Sequence, residues 1–365
     1  MELALPTPAV GVSSSAQRER IPFRFTGTGA EYFRIWIVNL LLTLTTLGIY
    51  SAWAKVRRLR YFYGNTSLAG SSFEYHAQPI QILKGRLIAV GALAIYSASI
   101  RIWPASMIVL LPLVILALPW VIVRSRKFQM QVTSWRNIRF RFHGTYGQAA
   151  AAYIGWAIVS ALTLNLMMPR LLYARVKFLL GETSFGSQKF EFTRQPGPYY
   201  RFFYLTLLLS LGAVLAVLII LVVIGLIVGV GVGLTGAATT GTMTAVLIQA
   251  ISIGAFLIVY LPILAYYESR FVNTTLDGLK IGPHTVRCNL ETNRLASIYV
   301  TNVLGMIFTL GLYYPWARIR RMQYQLDSMS VDTVGSLDMF TAAADSTTSA
   351  TGEELGEFFD VDFGF

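Results

Sequence analysis

The chain has one cysteine, three histidines and 18 acidic residues among 365. A lone Cys288 excludes an intramolecular disulfide. His76, His143 and His284 fall in three separate stretches, and neither His-Glu-x-x-His nor Cys-x-x-Cys occurs, so no metal site is expected. There is no Gly-x-x-x-x-Gly-Lys-Ser/Thr, which removes the case for an ATP-driven pump within this chain. No nucleophile and base can be paired, so the reading is a protein without catalysis and without a cofactor. Charge is scarce as well, at 13% of residues, about half the share of a soluble domain. The long apolar runs contain no Asp or Glu. Buried acids are the usual mark of proton or sodium coupling, and their lack lowers the case for an ion-coupled transporter.

What the chain has in abundance is apolar residues, 55% of the total, with a mean hydropathy of +0.56. Residues 202–234 carry no charge, and 243–267 are almost as apolar. Residues 102–123 form a third run, and 87–100 a shorter fourth. Runs of 18 or more such residues are long enough to cross a bilayer as helices. The expected fold class is an all-α polytopic integral membrane protein with internal repeats, carrying short β-hairpins on the cytoplasmic side. Within 202–234, Gly225, Gly229 and Gly233 lie four apart on one helix face. That spacing suits close helix packing, against the next helix or a second copy in a homo-oligomer.

The charges are segregated. Thirty basic and nine acidic residues precede Asp327, whereas the remaining 39 residues carry nine acids and no Lys or Arg. Basic residues beside membrane runs follow the positive-inside rule. They point to anionic membrane lipid as the partner rather than nucleic acid.

An internal repeat organises the chain. Thr46-Leu-Gly-Ile-Tyr-Ser-Ala-Trp-Ala-Lys-Val-Arg-Arg58 recurs as Thr309-Leu-Gly-Leu-Tyr-Tyr-Pro-Trp-Ala-Arg-Ile-Arg-Arg321, with eight of 13 positions identical at an offset of 263. Phe23-Arg-Phe-Thr-Gly-Thr28 matches Phe140-Arg-Phe-His-Gly-Thr145 at an offset of 117. Gly64-Asn-Thr-Ser67 matches Gly181-Glu-Thr-Ser184 at that same offset. One unit reads as an aromatic strand, a Gly-Thr turn, an apolar helix that breaks, a basic helix and a second aromatic strand. The middle unit lacks the Gly-Ile-Tyr and the Trp.

The stretch Leu-Gly-Ile-Tyr-x-x-Trp-Ala-Lys/Arg at 47–55 and 310–318 resembles the YjgN-like bacterial inner-membrane proteins, a family defined by a domain of unknown function. The resemblance implies an inner-membrane location and repeated membrane segments. It brings no activity, substrate or catalytic residue.

The domain reading has a disordered tail at 1–21, a membrane domain at 22–326 and an acidic disordered tail at 327–365. Repeat units occupy about 22–78, 139–195 and 286–326. Transmembrane hairpins at about 87–123 and 203–267 turn near Trp103-Pro104 and at 235–242. The repeat helices near 32–50, 149–169 and 295–314 dip into the bilayer and return, which leaves every large basic cluster and both tails cytoplasmic. Seven full spans is the competing topology. Candidate polar path residues are Asn39, Thr46, Asn165, Asn302 and Thr309. Candidate lipid-headgroup contacts are Trp53, Lys55, Arg57, Arg58, Arg175, Lys177, Trp316, Arg318, Arg320 and Arg321. Glu268 and Arg270 form an expected local ion pair. Two functions fit: passage or handling of a small polar solute or lipid through the broken helices, or a non-catalytic scaffold that offers a basic platform to anionic lipid or a partner protein.

Overall fold

A computed structural model describes residues 18–235 and 241–335, with the side chains of 227–255 described only in part. The chain alternates helical hairpins with β-hairpins. β1 (Arg18–Phe25) leads to α1 (Gly29–Thr45) and α2 (Ser51–Gly64), then β2 (Thr66–Leu68) and β3 (Ser71–Tyr75). The second helical hairpin pairs α3 (Pro79–Ile102) with α4 (Met107–Gln131), followed by β4 (Thr133–Trp135) and β5 (Ile138–Phe142). In the third, α5 (Tyr146–Ala150), a π-type turn and α6 (Trp156–Leu162) run outward and α7 (Met168–Gly181) returns to β6 (Thr183–Phe185) and β7 (Gln188–Phe192). The fourth pairs α8 (Gly197–Thr235) with α9 (Gly241–Leu276), then β8 (Leu279–Ile281) and β9 (His284–Cys288). The fifth pairs α10 (Thr292–Phe308) with α11 (Tyr314–Asp327) and ends in β10 (Met329–Val334).

All ten strands close into one antiparallel barrel, in which β10 pairs with β1. This overturns the all-α fold class. The short β-hairpins expected at the membrane surface are sectors of a single closed sheet. A three-residue strand has no stability alone. Ring closure pairs every strand on both sides and leaves no open edge.

Local chemistry explains the abrupt change from helix to strand. Thr66, Thr133 and Thr183 each donate a side-chain hydroxyl to the carbonyl four residues back, on Phe62, Gln129 and Leu179, at 2.7–2.9 Å. Each bond satisfies one of the orphan carbonyls at a helix C-terminus. One backbone bond recurs where each outgoing helix begins. The N–H groups of Thr26, His76, His143, Thr193 and Asn289 donate to the carbonyls of Asn65, Val132, Glu182, Gly278 and Ser328, at 2.8–3.0 Å. The two legs of every helical hairpin are thereby fastened together at the barrel rim.

Alternation along the strands decides what faces inward. Leu68, Trp135, Ile138, Phe185 and Val331 fill the barrel axis, with Phe23, Phe73, Phe140 and Phe190 packed against them. Phe25, Tyr75, Phe142 and Cys288, at the strand ends, instead enter separate cores at the bases of the helices. The barrel is therefore a packed core rather than a pore.

The helical hairpins are of two lengths. α3, the segment Pro104–Gln131 and the described stretch Gly197–Leu226 of α8 are long and apolar enough to cross a membrane. Trp103 and Pro104 do mark the turn between α3 and α4. The turn expected at 235–242 falls mostly outside the described residues. α1 and α10 have 17 residues each, about 25 Å at 1.5 Å per residue. That is less than the ~30 Å hydrocarbon core.

Two further expectations change. Arg18 to Ile21 and Met329 to Val334, assigned to the terminal tails by composition, are paired strands. The remaining tail residues, 1–17 and 336–365, lie outside the described residues. Among the described residues, no heavy atom beyond its own stretch of helix lies within 4 Å of where a Cβ at Gly225 would stand. Gly229 and Gly233 belong to α8, and their surroundings lie outside the described side chains.

Candidate functional site

The ends of the three short hairpins share one geometry. Leu47, Leu164 and Leu310 adopt φ of 49–51°, and the next residue is Gly48, Asn165 or Gly311 at φ of 65–91°. The middle copy thus matches Thr46-Leu47-Gly48 with Thr163-Leu164-Asn165, a correspondence hidden because Asn replaces Gly. Asn is the side chain that best tolerates the left-handed region. Thr46, Thr163 and Thr309 each donate to a carbonyl four residues back and accept the N–H four residues ahead, at 2.6–3.2 Å. Gly48, Asn165 and Gly311 close the turn with N–H bonds of 2.6–2.8 Å to the carbonyls five residues back. These bonds pair several of the backbone groups that a chain reversal leaves free.

The three leucines are 87–94% exposed. Leu44, Leu162 and Phe308 beside them are 64–82% exposed. Sequence reasoning missed these residues because a leucine inside an apolar run carries no signal of its own.

The candidate polar path does not form a single lining. Thr46, Asn165 and Thr309 sit at three separate tips and serve the turns. Asn302 is buried and donates to the Ala317 carbonyl at 3.2 Å, which ties α10 to α11. Asn39 is buried with its Oδ1 unpartnered, and it lines a crevice described below.

The candidate headgroup contacts sit on the returning legs α2, α7 and α11. Arg57, Arg58, Lys177, Arg318 and Arg320 are exposed. Trp53 stacks on Tyr50, and Trp316 on Tyr313, with centroids 6.2 Å apart in both pairs. Arg175 lies over the Tyr153 ring at 4.8 Å. Arg321 is engaged elsewhere, bonded to Glu268 at 2.5 Å. Glu268 also accepts from Tyr299 and, at 2.6 Å, from Gln325. The expected pairing of Glu268 with Arg270 is replaced by this cluster, and Arg270 lies over Tyr266 at 5.5 Å.

At the barrel rim, His76 and His143 lie 2.7 and 2.9 Å from the hydroxyls of Ser134 and Ser184. Burial lowers the His143 pKa, and Lys189 and Arg141 push it the same way. Asp332 is held below the usual carboxylate range by Arg20 and Arg287. Burial pushes the Cys288 thiol up to about 11, with Asp277 adding to the shift, which disfavours the reactive thiolate. Among the described residues, no group of three or more His, Cys, Asp and Glu could hold a metal.

Two hollows stand out. One of about 610 Å³ includes Arg20, Asp277, Arg287 and Arg294. Its charges are largely answered, since Asp332 pairs with Arg20 and Arg287, and Asp277 with Arg194. The other, a crevice of about 580 Å³, lies where the first, second and fifth helical hairpins meet, and Lys55, Arg58 and Arg86 line it.

Residues 20–358 match the family described as bacterial protein of unknown function, DUF898. The inner membrane protein YjgN of Salmonella typhimurium strain LT2 is 24% identical over 368 residues, covering 90% of this chain and 92% of that protein. YjgN of Escherichia coli K12 is 34% identical over 125 residues, covering 33% of this chain and 31% of that protein. YjgN of Escherichia coli O157:H7 is 33% identical over 126 residues, with the same coverage. No solved structure matches.

Proposed function

The chain belongs to the DUF898 family of bacterial proteins of unknown function, and on that premise we propose that it is a non-catalytic inner-membrane scaffold that grips the cytoplasmic leaflet. Two hairpins span the bilayer, three half-enter it, and the barrel lies beneath with both tails on its side. The observation that carries this reading is barrel closure. Each helical hairpin leaves the barrel and returns to it, so both ends of every hairpin share one side of the membrane. This connectivity favours paired crossings over seven single ones. The relatives' designation as inner membrane proteins supports the location.

The short hairpins supply the grip. Their exposed leucines suit hydrocarbon, while the basic returning helices keep Arg57, Arg58, Arg318 and Arg320 within reach of phosphates by snorkelling. The packed barrel core weighs against a solute path along the axis. A second reading, handling of a lipid, draws on the crevice beside Asn39. In this scheme the matched turns at 46–48, 163–165 and 309–311 belong to three copies of one membrane-dipping unit.

The test is accessibility mapping in intact cells. On a Cys288→Ala background, single cysteines replace Ser51, Ala105 and Ser297, and a membrane-impermeant thiol reagent is added outside. Labelling at 105 alone is the expected result. External labelling at 51 would mean that the first hairpin crosses fully, and would end the half-inserted reading. A nitroxide at residue 47, 164 or 310 in nanodiscs should be relaxed by oxygen more than by a water-soluble nickel complex.

A further inference from the structure

Three cations line the crevice between the first, second and fifth hairpins. Lys55 and Arg58 on α2 and Arg86 on α3 converge on it. Lys55 feels the positive charges of both arginines. Arg86 donates to Ser51, a neutral partner. None of the three cations is bonded to a carboxylate among the described residues. Grouped cations without an anion raise each other's energy, and a bound anion removes that cost.

The sequence match at offset 263 supplies an internal control. Arg58 corresponds to Arg321, and Trp36 to Tyr299. In the fifth hairpin the cation is neutralised, because Arg321 bonds Glu268 from the neighbouring α9 at 2.5 Å, and Tyr299 donates to that same carboxylate. In the first hairpin the neighbour is α11, and it presents Tyr314, whose ring lies 6.0 Å from Trp36. Matching the rim carbonyls of Gly278 and Ser328 puts Arg318 where α9 has Glu268, and Arg318 lies over the Phe62 ring at 5.9 Å, so the first hairpin has a cation in place of the carboxylate. Asn39 adds a second sign of a ligand. It is more than nine-tenths buried and lines the crevice; its Oδ1 has no partner, as in its repeat equivalent Asn302, but the Asn302 amide is already committed to the Ala317 carbonyl. Turned the other way, its amide offers an N–H donor to an anionic oxygen.

We propose that this crevice is a phosphate-binding site, in which Lys55, Arg58 and Arg86 hold the anionic oxygens beside the Asn39 amide. Trp36 and Tyr314 form an aromatic wall suited to the apolar part of a larger ligand. The proposal deepens the leaflet-gripping reading and rests on it only for the source of the phosphate, a lipid headgroup rather than the free ion.

The experiment uses the full chain in phosphatidylcholine nanodiscs, with and without phosphatidylglycerol. Native mass spectrometry counts retained phosphatidylglycerol, and calorimetry follows inorganic phosphate added to the discs that lack it. One phosphatidylglycerol retained per chain identifies a headgroup, whereas calorimetric binding of phosphate alone identifies the free ion. Either result supports the site if Lys55→Gln and Arg58→Gln each weaken binding about tenfold or more while Arg139→Gln, on the outer face of the barrel, leaves it unchanged. Asn39→Asp is nearly isosteric and should abolish binding by supplying a carboxylate to the three cations, with a retained melting temperature confirming the fold. Wild-type protein that binds neither ligand, or an equal loss in Arg139→Gln, would overturn the proposal. The two readings fail separately. Hairpin tips in lipid with no phosphate bound would end only the site, and tips in water with phosphate bound would end only the leaflet reading.

Discussion

Arg321 donates to Glu268 at 2.5 Å, joining α11 to α9 across the boundary between the fourth and fifth helical hairpins. The carboxylate is mostly buried, at 16% exposure, and it also takes hydrogen bonds from Tyr299 and Gln325. Glu268→Ala leaves a half-buried guanidinium and two further donors without their acceptor. The expected cost is about 2 kcal/mol, the range for losing a charged hydrogen-bond partner. Thermal unfolding in detergent reads this out. Asp332→Ala is the control, because Arg20 and Arg287 are 70% and 51% exposed and surface pairs contribute about 1 kcal/mol or less. Equal losses from the two variants would refute the special weight given to the Glu268 cluster.

The left-handed turns make a second prediction, with unequal effects at matched positions. Gly311 sits at φ +89°, and Gly311→Ala should destabilise by about 1–2 kcal/mol, the cost of a Cβ in the left-handed region. Asn165 sits at φ 65°; Asn165→Gly relieves the left-handed strain but gives up the bond its Oδ1 accepts from the buried Ser160 hydroxyl at 3.4 Å and adds freedom to the unfolded chain, so the variant should melt close to the parent temperature. Similar effects of both substitutions would show that the turns are not held by backbone conformation.

His143 predicts a pH dependence. Burial, Lys189, Arg141 and Lys127 lower its folded pKa, with Glu182 opposing them, while the unfolded chain has the ordinary value of 6.5. Between the two values the unfolded chain binds more protons, so stability rises with pH there. The contribution is complete above pH 6.5 and is lost as pH falls through the folded value. His143→Gln should flatten the melting temperature below pH 6.5 relative to the parent. Ser184 faces the imidazole at 2.9 Å, and a glutamine can still bond it. An unchanged slope in the variant would assign the pH dependence elsewhere.

Apolar runs with no acid in them made the membrane character legible, and the 46–58 and 309–321 match exposed the hairpin turns. The second aromatic strand expected in each unit is found as β3 and β7, and Trp103-Pro104 does mark a turn. The middle turn was obscured by one replacement, Asn165 for Gly. Thr133-Ser134-Trp135 went unread because a three-residue strand is too short for periodicity to register. In the site, the basic returning helices were visible as Lys55, Arg57 and Arg58. Arg86 and Trp36 were not, because each looked like an ordinary residue at a helix boundary.

Composition and pattern alone determined that this chain is a membrane protein, that its basic charge lies beside the membrane segments and that its short helices reverse at fixed points. These follow from local quantities: hydropathy, charge spacing and the conformations open to Thr-Leu-Gly or Thr-Leu-Asn. Only the tertiary structure decided that the strands close into a ring through Arg18 and Val334, and that Arg58 faces an open crevice while Arg321 faces Glu268. Both depend on which distant segments become neighbours. Pairing across more than 300 residues leaves no local trace, because its stabilisation exists only once the barrel has closed.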